Sequence, residues 1–193
     1  YEPTGWWWAA ILGVGLFFLA LSPWGADRPG LGFGALIGLA FGLGNYLGLL
    51  PWIGEFVGAL PYVALAIVLA CYIALGSVAL TAVLRWRFGL AAAPLVYLFI
   101  EFCQSTFPFG GFAWVRLAWG QIAGPLAALA RYGGPALVTL AVCAAGAALT
   151  ALVLSAFRRR LSLAGAVCFV VVLAAGLGAG TRLDPEDTRI GQT

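Results

Sequence analysis

The chain has 193 residues, 63% of them hydrophobic and 9% charged, with a formal net charge of +3. A water-soluble domain has roughly a quarter of its residues charged, so this chain lacks the polar surface to cover itself in water, whereas a bilayer favours apolar helices whose backbone is bonded internally. His, Met and Lys are absent and all ten basic residues are Arg, which excludes Ser-His-Asp and Cys-His centres, a Schiff-base lysine and His-ligated metal sites.

A membrane-crossing helix needs roughly 20 mostly apolar residues, and six segments meet or approach that length. They run over about 6–21, 31–50, 61–84, 90–103, 135–157 and 161–179. The expectation is an all-α integral membrane protein, a bundle of about six transmembrane helices. The first segment stops at Ser22-Pro23. The second carries Gly34, Gly38 and Gly42 at four-residue spacing, which puts them on one face. That face reads either as plain helix packing or as a lipid-binding groove. The fourth carries Glu101 near its end. An ionisable residue there is a functional candidate, and near an interface it is equally placed to reach headgroups or water.

The stretch from Thr106 to Gly120 is too broken by Pro108, Gly110 and Gly111 for a helix interior, and too aromatic for a solvated loop. Phe107, Phe109, Phe112, Trp114 and Trp119 with Arg116 suit headgroup depth, where rings and a guanidinium meet chains and phosphates together. Lipid handling and simple interfacial anchoring are both open from these residues. After it, 124–134 reads as a short interfacial helix, with Pro125 in its first turn and Gly133-Gly134 as its stop. The whole connection 106–134 is read as an interfacial loop, and 181–193 as a polar linker.

Arg28 follows the first helix, Arg85 and Arg87 the third, and Arg158, Arg159 and Arg160 the fifth. These loops alternate so as to share one side, which the positive-inside rule makes cytoplasmic. Glu55, the 106–134 loop and both chain ends then lie on the other side. Cys71, Cys103, Cys143 and Cys168 sit in or beside apolar runs without metal-like spacing. They read as small packed hydrophobes, and neither a metal nor another cofactor is expected. The scattered Arg residues suggest no nucleic-acid partner.

The run Phe107-Pro-Phe-Gly-Gly-Phe-Ala-Trp-Val-Arg-Leu-Ala-Trp-Gly-Gln-Ile-Ala-Gly-Pro-Leu126 closely resembles the signature loop of bacterial apolipoprotein N-acyltransferases, in the form of their actinobacterial branch. Leu43-Gly-Asn-Tyr-Leu-Gly-Leu-Leu-Pro-Trp-Ile53 resembles the end of the family's third helix, and Glu101 falls where the family has a Glu-aromatic-x-Arg motif. Gln104 departs from that motif, standing where the family usually has Arg. The likeness covers nearly the whole chain. It implies the membrane region of an enzyme that moves a fatty acyl group from phospholipid to the amino terminus of a lipoprotein's diacylglyceryl-cysteine, in the bacterial cell membrane.

In that family the chemistry belongs to an extracytoplasmic nitrilase-like domain with a Glu, Lys and Cys triad. A chain without Lys cannot supply it, and none of its residues is nominated as catalytic. Tyr1-Glu-Pro-Thr-Gly-Trp-Trp-Trp8 resembles the start of the family's second helix, and Arg189-Ile-Gly-Gln-Thr193 falls about where the catalytic domain would begin. A fragment of a longer polypeptide is therefore expected. The resemblance implies a substrate-side surface of Phe109, Gly110, Gly111, Phe112, Trp114 and Arg116, supported by Glu101, with phospholipid and a lipid-anchored apolipoprotein as partners. The alternative is a non-catalytic membrane scaffold for a polyprenol-phosphate mannose synthase, a glycosyltransferase. A small transporter fits poorly, because the helix interiors lack the paired charges of a solute path.

Overall fold

The computed structural model describes residues 5–24, 27–108, 110–157 and 163–181. Among the described residues seven α-helices follow in order: α1 (Trp7–Leu21), α2 (Leu31–Leu49), α3 (Pro51–Val57), α4 (Ala59–Leu84), α5 (Gly89–Thr106), α6 (Ala130–Phe157) and α7 (Leu163–Gly180). No β-strand occurs among the described residues. Helices α2, α4, α5, α6 and α7 are long and apolar enough to cross a membrane, and α1 is a shorter apolar helix. The protein is an all-α membrane bundle.

Lipid chains are as apolar as leucine, so close backbone approach takes over the role that hydrophobic burial plays in water. Two helix pairs show it. A Cβ on Gly34 or Gly38 of α2 would collide with Thr81 or Ser77 of α4, and one on Gly42 would stand 2.8 Å from the Ala70 Cα. The two α4 hydroxyls are buried in this seam without being orphaned. Ser77 donates to the Ile73 carbonyl at 2.6 Å and Thr81 to the Ser77 carbonyl at 2.7 Å. In the second pair Gly15 of α1 meets Gly146 of α6, and Thr150 reaches across to donate to the Gly15 carbonyl at 2.9 Å. Helix α5 lies against both α4 and α6 and so links the pairs. Phe18, Leu21, Leu80 and Val142 are fully buried at the centre.

Two Arg-bearing connections and the end of α6 meet at one end of the bundle. Arg85 donates to the Pro29 carbonyl at 2.6 Å, joining the connections after α1 and α4. Trp24 packs edge-on against Phe157, the last residue of α6, at 5.2 Å between ring centres. Arg158, Arg159 and Arg160 themselves lie outside the described residues, as do 1–4 and 182–193. Helix α3 and the connection from α5 to α6 occupy the opposite end.

Local structure departs from the sequence expectation in three places. Residues 51–57, expected as loop, form α3, which opens on Pro51 as a first-turn residue and stops at Gly58 with φ of 93°. Helix α5 continues to Thr106, beyond the expected stop at 103, with the Ser105 and Thr106 hydroxyls both donating to the Phe102 carbonyl in the last turn. The short helix expected over 124–134 is instead a turn, a 3-10 turn at Ala127–Leu129, and the first turn of α6. That turn ends in a break at Gly133 and Gly134, where the backbone leaves helical geometry, and Pro135 then starts the long apolar part. The turn at Pro125 is held by α7, whose Gly176 leaves room for the Pro125 carbonyl.

Candidate functional site

The connection from α5 to α6 folds back onto the end of α5. Pro108 stops the helix, after a cis bond from Phe107. Gly110 and Gly111 follow with φ of 92° and 69°, a left-handed conformation that a side chain disfavours. At Gly111 the space is closed as well, since a Cβ would run into the Ser105–Thr106 backbone. The reversed chain is pinned by Phe112 N–H donating to the Gln104 carbonyl at 2.9 Å, and by Tyr72 of α4 donating to the Phe107 carbonyl at 2.7 Å. Two 3-10 turns, Ala113–Val115 and Leu117–Gln121, carry it across the bundle end.

Under this cover lies a layer of buried polar side chains. Glu101 is 8% exposed, and its carboxylate accepts the Leu117 N–H at 2.8 Å. The expectation that it could reach headgroups or water is therefore corrected: one turn inside the end of α5, it lies beneath the loop and ties that loop to the helix. Thr139 of α6 is buried beside it. Gln104, 3% exposed, accepts from the Tyr46 hydroxyl of α2 at 3.0 Å. The glutamine at this unusual position thus bridges two helices. Gln121 donates to the Trp7 carbonyl at 2.8 Å, closing the loop over the start of α1.

The outer surface is aromatic. Trp114, 67% exposed, stacks on Trp52 of α3 at 5.5 Å between ring centres, and Phe112 lies beside it at 6.0 Å. Phe107 and Trp119 are also exposed. Arg116 is half-buried and donates to the Ser105 hydroxyl at 2.8 Å, while its buried Nε has no partner among the described residues. The structure therefore brings Gly111, Phe112, Trp114 and Arg116 together over Glu101. Gly110 lies at the exposed turn, and Phe109 falls outside the described residues.

Two open clefts flank the 3-10 turns. One, of roughly 300 Å3, runs between α5 and α6 and has Glu101 and Arg116 in its lining; the other, of roughly 450 Å3, lies between α1 and α2 and reaches Leu117. Apolar walls with a cation at one rim suit an amphiphile. Among the described residues no cluster of His, Cys, Asp and Glu could hold a metal ion. Sequence reasoning missed Ser105, Tyr46, Gln121 and the wall of the first cleft. The wall alone left a signal, because Leu95, Leu98, Phe99 and Phe102 recur at helical spacing along one stripe of α5.

The model of a family described as the apolipoprotein N-acyltransferase N-terminal domain matches residues 1–148, a span that holds the whole folded-back loop and the buried polar layer beneath it. The chain belongs to the apolipoprotein N-acyltransferase N-terminal domain family.

Proposed function

We propose that this bundle is the membrane region of an apolipoprotein N-acyltransferase, holding phospholipid and a lipid-anchored apolipoprotein while an acyl group passes to the acceptor's N-terminal diacylglyceryl-cysteine. The observation that carries this reading is family membership across the loop 107–126. The 193 residues contain no Lys, so a Glu, Lys and Cys triad is not formed from them, and in this reading a nitrilase-like domain working with the bundle supplies the nucleophile. The bundle's part is positioning, which lowers the entropic cost of bringing two lipid-bound reactants together. Trp114, Phe112 and Phe109 would meet chains at headgroup depth, Arg116 a phosphate, and Glu101 would hold the loop in place. The Arg-bearing end would face the cytoplasm of a bacterium, and the loop end the outside.

The test is acyl transfer by the full-length protein from a phospholipid to a diacylglyceryl-cysteine peptide in vesicles. Trp114→Ala and Arg116→Gln are expected to lower the rate about tenfold or more, the loss of roughly 1.4 kcal/mol of transition-state stabilisation, with normal membrane insertion. Unchanged rates would remove these residues from the substrate surface, and an inactive parent protein would remove the reading itself. One observation favours the scaffold alternative: Gln104, in the place of an expected Arg, is spent on a buried contact to Tyr46. Stoichiometric co-purification of a glycosyltransferase with this chain would select that alternative.

A further inference from the structure

We infer that the cleft between α5 and α6 seats one acyl chain of a phosphate-bearing lipid, with the Arg116 guanidinium holding the phosphate at its mouth. This deepens the acyl-transfer reading, and rests on it in one respect: it assigns the phospholipid donor, not the phosphate-free diacylglyceryl acceptor, to this side of the loop.

The cleft has the shape of a chain slot. Leu95, Leu98, Phe99 and Phe102 form its α5 wall, a stripe of seven residues' rise, about 10 Å along the helix axis. Leu95, Phe99 and Phe102 are each more than half exposed, so the slot opens sideways, where a bilayer chain can enter without passing through water. Ala136 faces them from α6, directly after the Gly133–Gly134 break, and its small side chain leaves the space unfilled.

The mouth has the matching charge. Among the described residues Arg116 is the cation in the lining. One of its N–H groups is taken by Ser105 at 2.8 Å, and its buried Nε has no acceptor among the described residues. Its electrostatic neighbour in the same lining is the Glu101 carboxylate. That carboxylate already accepts from the Leu117 N–H and is 8% exposed, and no hydrogen bond joins it to the guanidinium among the described residues, so the Arg116 N–H groups keep room for a second acceptor. A guanidinium with free donors at the rim of an apolar slot matches a phosphodiester, which it can grip through two N–H groups. Among the described residues the lining of the α1–α2 cleft, by contrast, includes Asn45 and no charged residue, so these residues offer a phosphate nothing comparable.

The test is native mass spectrometry of the full-length protein released from detergent, after equilibration with phosphatidylglycerol or with diacylglycerol bearing the same chains. The wild type is expected to retain the phospholipid about fivefold more, the size of one Arg–lipid charge contact. Arg116→Gln should bring that ratio to near one. Ala136→Phe, which fills the slot, should lower retention of both lipids; if it fails to fold, Leu95→Trp on the exposed wall takes its place. Equal retention by the wild type, an unchanged ratio in Arg116→Gln, or full retention by the slot-filling variant would overturn the inference. Loss of discrimination in Arg116→Gln alongside an absence of acyl transfer in the wild type would support the slot and remove the acyltransferase reading.

Discussion

Glu101 is the residue on which the loop geometry turns. A buried backbone N–H that loses its acceptor costs about 1–3 kcal/mol, and Leu117 has Glu101 as that acceptor. Glu101→Leu is therefore expected to lower the thermal unfolding midpoint in detergent by several degrees. Glu101→Gln keeps an acceptor oxygen at the same reach and should lose much less. Equal midpoints for wild type and Glu101→Leu would show that the hydrogen bond does not hold the loop. The sequence marks Glu101 as unusual, an acid at the end of an apolar run, but not which way its carboxylate turns. That depends on the chain reversing at Gly110 and Gly111 to bring residue 117 over residue 101, a sixteen-residue return that no local periodicity records. Arg116 and Trp114 stand out by composition, whereas Gln104 and Tyr46 look ordinary until α2 and α5 are placed side by side.

At the scale of elements, small residues decide which helices touch. Gly38 faces Ser77 so closely that no side chain fits, while Gly44, six residues on, has open space around its missing Cβ. Gly38→Leu should separate α2 from α4 and cost roughly 1–3 kcal/mol or more by overpacking. Gly44→Leu should be nearly neutral. Thermal unfolding of the two variants in the same detergent separates them, and equal losses would show that the close approach at Gly38 does not set the cost, since Leu is the better helix former at both sites. The helices themselves are legible because each needs only an uninterrupted apolar run, and an all-α membrane bundle follows from that run count. Helix α3 is not legible in that way: seven residues make two turns, too few for a pattern to stand out. The break in α6 is legible as a Gly-Gly pair, and it acts as the stop the sequence suggests: both residues leave helical geometry between one helical turn and the long apolar helix. The chain can resume at Pro135 because the first turn of a helix needs no N–H from its proline.

For the whole molecule, charge and geometry agree about the two ends. Pro29, Arg85, Trp24 and Phe157 gather the connections after α1, α4 and α6 at one end, while Trp52 of α3 stacks on Trp114 at the other. Helix α4 joins them. Its 26 residues give a rise of about 39 Å, more than a hydrocarbon core of about 30 Å, so Glu55 and Arg87, just beyond its two ends, are expected in opposite compartments. In the orientation proposed from the positive-inside rule, Arg87 is expected on the cytoplasmic side. In a background with Cys71, Cys103, Cys143 and Cys168 replaced by Ala, a membrane-impermeant maleimide should label Glu55→Cys in intact cells, and Arg87→Cys only after the membrane is opened. The reverse pattern would invert the orientation and place the aromatic loop in the cytoplasm. There it could not meet an extracytoplasmic acceptor, and the acyl-transfer reading would give way to the scaffold. Labelling of both in intact cells would mean that α4 does not separate two compartments, against the length and apolarity of that helix.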